Sequence, residues 1–279
     1  METHTTRFNY IVTIHNKQNL IKGVILGILN SAGPNSCIYL ILDGCDKGSE
    51  LIIDELIQSY PEVKMYKLFA NKIHELKAIN IGLNMSYKNG AKFNIILQDD
   101  VILSDKNLEK KCSTLYHDFP QLGILSFRHG GNISRDQFQD KLSFAFPITN
   151  YVQNECGHYP NPRQTLKTGN FTFREVVLKS PICIPFKIIS ELGVPNEKFA
   201  PWDDMAYCYH VSNAGYANGV LAINFLSDAS WENTRNKKKE YNLEKVMTKN
   251  LNTLRLEHPK LPPLDLLKYN GKQYRIFLT

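Results

Sequence analysis

The sequence predicts an α/β protein: a mainly parallel sheet flanked by helices, followed by a C-terminal helical extension. Three observations lead there. Over the first two-thirds of the chain, short apolar runs alternate with amphipathic stretches, the rhythm of strand–helix–strand units. One run, Phe93-Asn94-Ile95-Ile96-Leu97-Gln98-Asp99-Asp100-Val101, is mostly apolar before it breaks into adjacent carboxylates, the pattern of a buried strand. Near the other end, Leu243, Val246, Met247, Leu251 and Leu254 recur at helical spacing within residues 237–256.

The elements follow in order. Asn9 to Ile14 reads as a strand and Leu20 to Leu29 as a helix. Cys37 to Leu42 is the next strand, and Ser49 to Tyr60 a helix closed by Pro61. Val63 to Leu68 is a strand. His74 to Met85 is a helix with Leu76, Ile79 and Leu83 on one face, ended by Asn89-Gly90. The Phe93 strand, a helix over Leu108 to His117 and a strand over Leu122 to Phe127 complete the regular part. From Gly130 to Ser180, prolines and glycines point to long loops, the usual carriers of specificity. Pro185 to Leu192 and Asp203 to Ala214 read as helices ended by Gly193 and Gly215. These elements divide the chain into a main domain, 1–225, and a basic helical extension, 226–279.

Composition narrows the class. With 279 residues, 43% hydrophobic and 22% charged, the chain is an ordinary globular protein. No apolar run approaches the about 20 residues of a membrane span, and Met1 to Arg7 has no apolar signal core. Six scattered cysteines without a CxxC pair argue against a zinc site and for a reducing compartment, so a cytoplasmic location is expected. The net charge is +6, but residues 235–279 hold eleven Lys or Arg against four Asp or Glu, or +7, leaving −1 for the rest. Basicity therefore belongs to the tail. Its two readings are a solvated helix face and peripheral contact with an anionic membrane; no nucleic-acid partner is expected.

Carboxylate pairs are the chemical signal. Asp99 and Asp100 would sit at a strand end, in the crevice where open α/β sheets hold ligands. Hard oxygen ligands there suit a divalent cation that carries phosphates, whereas a lone strand-end Asp often only caps the next helix. Asp203 and Asp204 precede a helix, where carboxylates also serve as caps. Motifs that are missing exclude other classes. The first strand is not followed by G-x-G-x-x-G, and neither G-x-x-x-x-G-K-[ST] nor G-x-S-x-G occurs. His74-Glu75 lacks the second His of the zincin spacing.

Five blocks, in order, resemble the family 2-type glycosyltransferases of the GT-A (nucleotide-diphospho-sugar transferase) fold. Tyr10-Ile11-Val12-Thr13-Ile14-His15-Asn16-Lys17 resembles the first strand and its polar turn. Leu40-Ile41-Leu42-Asp43-Gly44-Cys45-Asp46-Lys47-Gly48-Ser49 resembles the second strand, ending in Asp-Asp-Gly-Ser. Asn71 to Leu83, with Ala78, Asn80 and Gly82, resembles the third block. Leu97-Gln98-Asp99-Asp100 resembles the metal-binding D-x-D block, and Leu192 to Asp204 the acceptor-side block ending in Glu-Asp, with Gly215-Tyr216 beyond it. The match runs over residues 8 to 225.

The resemblance implies an inverting, metal-dependent glycosyltransferase that moves a sugar from a nucleotide sugar, a UDP-sugar first, to a hydroxyl of a glycan or lipid-linked acceptor in polysaccharide synthesis. It implies Mn2+ or Mg2+. Thr13 and Asp43 would hold the nucleobase, Lys72 and His74 approach the diphosphate, Asp99 contact ribose or metal, and Asp100 be the principal metal ligand. Asp204 would be the catalytic base, supported by Asp203. Residue chemistry agrees: an Asp accepts from a uracil N–H, a Thr hydroxyl donates to a carbonyl, and a base opposite the leaving diphosphate takes the acceptor proton.

The chain departs from the family pattern in places. Leu42 precedes Asp43 where an acid is usual, Gln98 stands where an acid is common, and Asp203 replaces Glu. Ala206 and His210 stand where Asp and Arg are frequent, and only Asp228 and His258 offer themselves as a third metal ligand. Two alternatives compete: a nucleotidyltransferase that makes nucleotide sugars, and an inactive nucleotide-sugar-binding module. Thr13-Ile14-His15-Asn16-Lys17 lacks the glycine-rich loop of the first, and retention of both carboxylate pairs argues against the second.

Overall fold

The computed structural model describes residues 7–127, 130–131, 151–152, 165–174, 176–200, 202–227, 249–250, 252–254, 256–257 and 273–276. In chain order these form β1 (Phe8–Ile14), α1 (Gln18–Ser31), β2 (Cys37–Asp43), α2 (Lys47–Ser59), β3 (Lys64–Ala70), α3 (Glu75–Lys88), β4 (Phe93–Gln98), β5 (Ile102–Leu103), α4 (Leu108–Asp118) and β6 (Leu122–Ser126). Then come β7 (Gly130–Gly131), β8 (Tyr151–Val152), β9 (Thr165–Leu166), β10 (Asn170–Arg174), β11 (Val176–Val177), β12 (Ile182–Pro185), α5 (Phe186–Leu192), α6 (Asp203–Asn213), β13 (Ala217–Leu221), β14 (Phe225–Leu226) and β15 (Gln273–Arg275).

Nine strands make one sheet in the order β15-β10-β13-β6-β12-β4-β1-β2-β3. Neighbours from β3 to β4 are parallel, as are β6 and β13. β12 runs against β4 and β6, and β10 against β13 and β15. Seven of the nine strands therefore point the same way, as the sequence rhythm predicts. The sheet order steps outward from β1 to β3 on one side and turns to β4 on the other, so the C-terminal ends of β1 and β4 flank the crevice where such sheets hold ligands.

Side chains alternate between two cores. Tyr10, Val12 and Ile14 of β1 join Ile38, Leu40 and Leu42 of β2 under α1, α2 and α4. Ile11, Tyr39, Ile41 and Ile96 face α3, α5 and α6. With both faces covered, every residue of β1 and β2 is buried, which explains why these strands read as continuous apolar runs. Gly82 lets α3 lie close against β1, for a Cβ there would meet Ile11 Cγ2 at 2.3 Å. Asn80 of the same helix donates to the Pro195 carbonyl at 2.9 Å and so ties α3 to the segment leading into α6.

Three features were not legible. β10 and β12 fall in or beside the stretch expected to be loops, and β13 follows Gly215-Tyr216 without a strand expectation. Phe171 and Phe173 of β10 are buried against Phe119 and Tyr274. The helix expected over 237–256 lies largely outside the described residues. Positions 249–250, 252–254 and 256–257 are helical, Leu254 is buried, and Asn250 donates to the Ala200 carbonyl. Most of the basic tail, Cys156, Asp228 and His258 also lie outside the described residues. Among those described, five cysteines are free, and no helix is long and apolar enough to cross a membrane.

Candidate active site

The expected donor-side residues gather at one edge of the sheet. Thr13 is buried near the end of β1, registered between Ile41 of β2 and Gln98 of β4. Asp43, at the end of β2, is 2% exposed, and its Oδ1 accepts from the Ile73 N–H at 2.7 Å. It does not cap the next helix, because Asp46 caps α2 by accepting from the Ser49 N–H at 2.8 Å. The Asp43 carbonyl also meets His15 Nδ1 at 2.6 Å, while the His15 N–H donates to Asp99 Oδ2 at 2.6 Å. The loop after β1 thus bridges the ends of β2 and β4.

Lys72 and His74 lie exposed on the β3–α3 loop. Both have positive φ, 53° and 76°, conformations that cost a non-glycine residue free energy and cluster at functional sites. The other two such residues among those described, Asn16 and Ser180, sit on the same edge: Asn16 follows β1, and Ser180 precedes β12, which runs the opposite way. Lys72 lies over Gly44, where a Cβ would approach its Cγ to 2.2 Å. With φ +66° as well, position 44 admits only glycine comfortably.

Asp99 is 9% exposed and Asp100 more open. Lys17, just before α1, places its Nζ 3.1 Å from Asp100 Oδ2 and 4.0 Å from Asp99 Oδ1. Among the described residues no group of three His, Cys, Asp or Glu converges as a metal cage. The donor set nevertheless fits a cation of the Mg2+ or Mn2+ kind, which takes one or two carboxylates and completes its shell with phosphate oxygens and water. That Lys17 already leans on the pair shows that the spot attracts positive charge.

Asp203 and Asp204 open α6. Asp203 is buried and accepts from Lys179 Nζ at 2.6 Å; Glu75 Oε2 lies 3.9 Å from the same ammonium. Asp204 is partly open to solvent and, with Lys179 and Asp203, lines a pocket whose other walls include Leu76, Ile79, Ile96 and Ile182. Burial in this surrounding pushes its carboxyl up to about 7, with Lys179 pulling down and Asp203 and Glu75 pushing up. A carboxyl so tuned exchanges a proton near neutrality. Burial alone would lower the Lys179 ammonium, but Glu75, Asp204 and Asp203 outweigh it and hold the group well above the usual lysine range.

The sequence reading missed the groups that join the two carboxylate pairs. Gln98 Nε2 donates to Glu75 Oε1 at 2.6 Å, and the Gln98 N–H to Ser180 Oγ at 2.7 Å. A side-chain path thus runs from the end of β4 through Glu75 and Lys179 to Asp203. Gln98 replaces an acid for a visible reason: an acid there would face Glu75. Lys17, Glu75 and Lys179 carried no local signal, because isolated charged residues on a turn or helix read as solvated. His210 lies away, with Nε2 3.2 Å from the Leu192 carbonyl, and Ala206 is buried in the core under α6.

No family model matches the sequence, and no curated protein does. Solved structures do match. The mannosyltransferase PcManGT from Pyrobaculum calidifontis, in complex with GDP-Man and Mn2+, aligns at a TM-score of 0.59 and 13% identity over 96% of this chain and 69% of that one. TarS residues 1–349 from S. aureus, in complex with UDP, aligns at 0.52 and 14% identity over 81% of this chain. The match spans 61% of that TarS structure. At such identity the likeness is one of fold, and the chain has the GT-A-type glycosyltransferase fold that its sequence blocks imply.

Proposed function

We propose that this chain is an inverting, metal-dependent glycosyltransferase of the family 2 type, taking a hexose from a nucleotide-sugar donor. The observation that carries the reading is the pair of carboxylate clusters on one edge of a GT-A-type sheet. One is open and attracts a cation; the other holds a carboxyl near 7. Neighbours of the same fold bound to GDP-Man with Mn2+ and to UDP support the donor class.

Each residue then has a role. Thr13 and Asp43 read the nucleobase, for which uracil is our choice. Lys72 and His74 face the diphosphate. Asp100 is the principal metal ligand, with Asp99 on ribose or metal. When bound, the divalent cation neutralises charge growing on the leaving diphosphate. Asp204 takes the proton of the acceptor hydroxyl as its oxygen attacks the anomeric carbon; the bond to the diphosphate breaks and the configuration inverts. Residues 1–225 form the catalytic domain, and 226–279 an extension that returns to the sheet edge through β15. A glycan or lipid-linked acceptor would give the basic extension its use, holding a cytoplasmic enzyme at an anionic surface.

Titration calorimetry with UDP, GDP and dTDP, each with and without Mn2+, tests the donor site. UDP should bind only with metal, and Asp100→Asn should abolish that Mn2+-dependent binding with the fold intact. Preference for GDP would overturn the base assignment alone; unchanged Mn2+-dependent binding by Asp100→Asn would overturn the metal role of Asp100. Liposome co-sedimentation tests the extension: no binding to anionic vesicles at low salt would remove the surface role.

A further inference from the structure

We infer that Lys179 is a positioning residue, which locks Asp203 with its ammonium and sets the basicity of Asp204. The inference deepens the proposed function and rests on its reading of Asp204 as the base. Residue 179 reaches both carboxylates by different means. Its Nζ bonds Asp203 Oδ2 at 2.6 Å, and its charge acts on the Asp204 carboxyl across the pocket that both residues line. Its neighbour Ser180 accepts from the Gln98 N–H, one residue before Asp99. Lys179 and Ser180, shortly before β12, therefore fasten the start of α6 to the end of β4.

The charges around Asp204 come from three elements. Glu75 belongs to α3, Lys179 to the segment between β11 and β12, and Asp203 to α6 itself; Cys208 lies one turn further along α6. Lys179 is the sole cation in this group. Two of the other members are carboxylates that oppose ionisation of Asp204, as does the apolar lining of the pocket. Without the ammonium, the charged form of Asp204 would face two negative neighbours with no compensation. The base would then hold its proton at the pH where it must accept one. With the ammonium present, Asp203 is held in place by the 2.6 Å contact, and Asp204 is free to exchange.

The test replaces Lys179 with Gln, which keeps a donor for Asp203 without the charge, with Met, and with Arg, which keeps the charge. Asp204 is titrated directly by carboxyl-carbon NMR, its resonance identified by its loss in Asp204→Asn. Transfer rates are followed against pH, and donor affinity by calorimetry. In Lys179→Gln and Lys179→Met the Asp204 midpoint should rise by about one pH unit or more. The acid limb of kcat should move with it, so that the rate falls about fivefold or more at pH 7 and the deficit shrinks as pH rises. Donor affinity should be unchanged, and Lys179→Arg should restore both midpoint and rate. An unmoved Asp204 midpoint in a folded neutral variant would overturn the inference. So would failure of both neutral variants to fold beside a normal Lys179→Arg, since the charge would then serve the fold alone. Full transfer by Asp204→Asn would instead sink the base reading, and the direct titration would still decide whether Lys179 tunes that carboxyl.

Discussion

The two carboxylate clusters differ in what neutralises them. At the end of β4, Asp100 is 27% exposed and meets Lys17 at 3.1 Å, with Asp99 at 4.0 Å. At the start of α6, Asp203 is 3% exposed and meets Lys179 at 2.6 Å. The first pairing is the longer and leaves its carboxylate the more open; the second is shorter and buries its carboxylate, with Lys179 itself 21% exposed. An open pair can trade its lysine for a metal and its phosphates without first breaking a buried bond. A sealed pair can hold a fixed field on a neighbouring carboxyl. In the proposed reaction the same residue types take opposite ends because burial of the carboxylates differs.

That contrast can be broken by measurement. The largest effect should come from Asp204→Asn, which should lower sugar transfer by about 10²–10⁴ while donor binding by calorimetry is retained. Equal rates in the two proteins would remove the distinction between the clusters. Next is Lys179→Met, which leaves Asp203 as an uncompensated buried charge and should cost about 3–5 kcal/mol of unfolding free energy in denaturant titrations. A loss no greater than that of an exposed ion pair would show that the second cluster is as open as the first.

A smaller effect concerns pH. The Asp204 carboxyl has an ordinary value of 3.8 and is raised to about 7 in the fold. The protonated form is therefore the favoured one in the native state. The cost of ionising it begins as pH rises past the unfolded value and is complete above the folded one. Between pH 4 and pH 8, Asp204→Asn should gain stability relative to the parent protein by about 1–4 kcal/mol, read from paired denaturant curves. The smallest effect should be that of Lys17→Met, within about 1 kcal/mol of the parent because its partners are partly solvated. A larger loss would mean that Lys17 is a structural counter-ion rather than an exchangeable one.

Much of this molecule was legible because its signals are local. The continuous apolar runs of β1, β2 and β4 come from burial on both faces, and the run ends put Thr13, Asp43, Asp99 and Asp100 at one edge. Gly44 and Gly82 mark close approaches that a side chain would block. β10 and β12 escaped because each is short and ordered by its neighbours: Ile182 and Cys183 gain strand character from pairing with β4 and β6 on either side. Phe171 and Phe173 become core only when Phe119 and Tyr274 arrive from far along the chain.

The sequence by itself determined the alternating architecture, the carboxylate pairs and the edge on which the first of them lies, since strand period, apolar run length and turn residues act over a few positions. Only the tertiary structure decided which cation faces which carboxylate. Lys17 and Asp100 are 83 residues apart, and Lys179 meets Glu75 and Asp203 from a segment with no helix or strand of its own. Charge–charge energies depend on separation and burial, quantities that exist only once the chain has closed on itself.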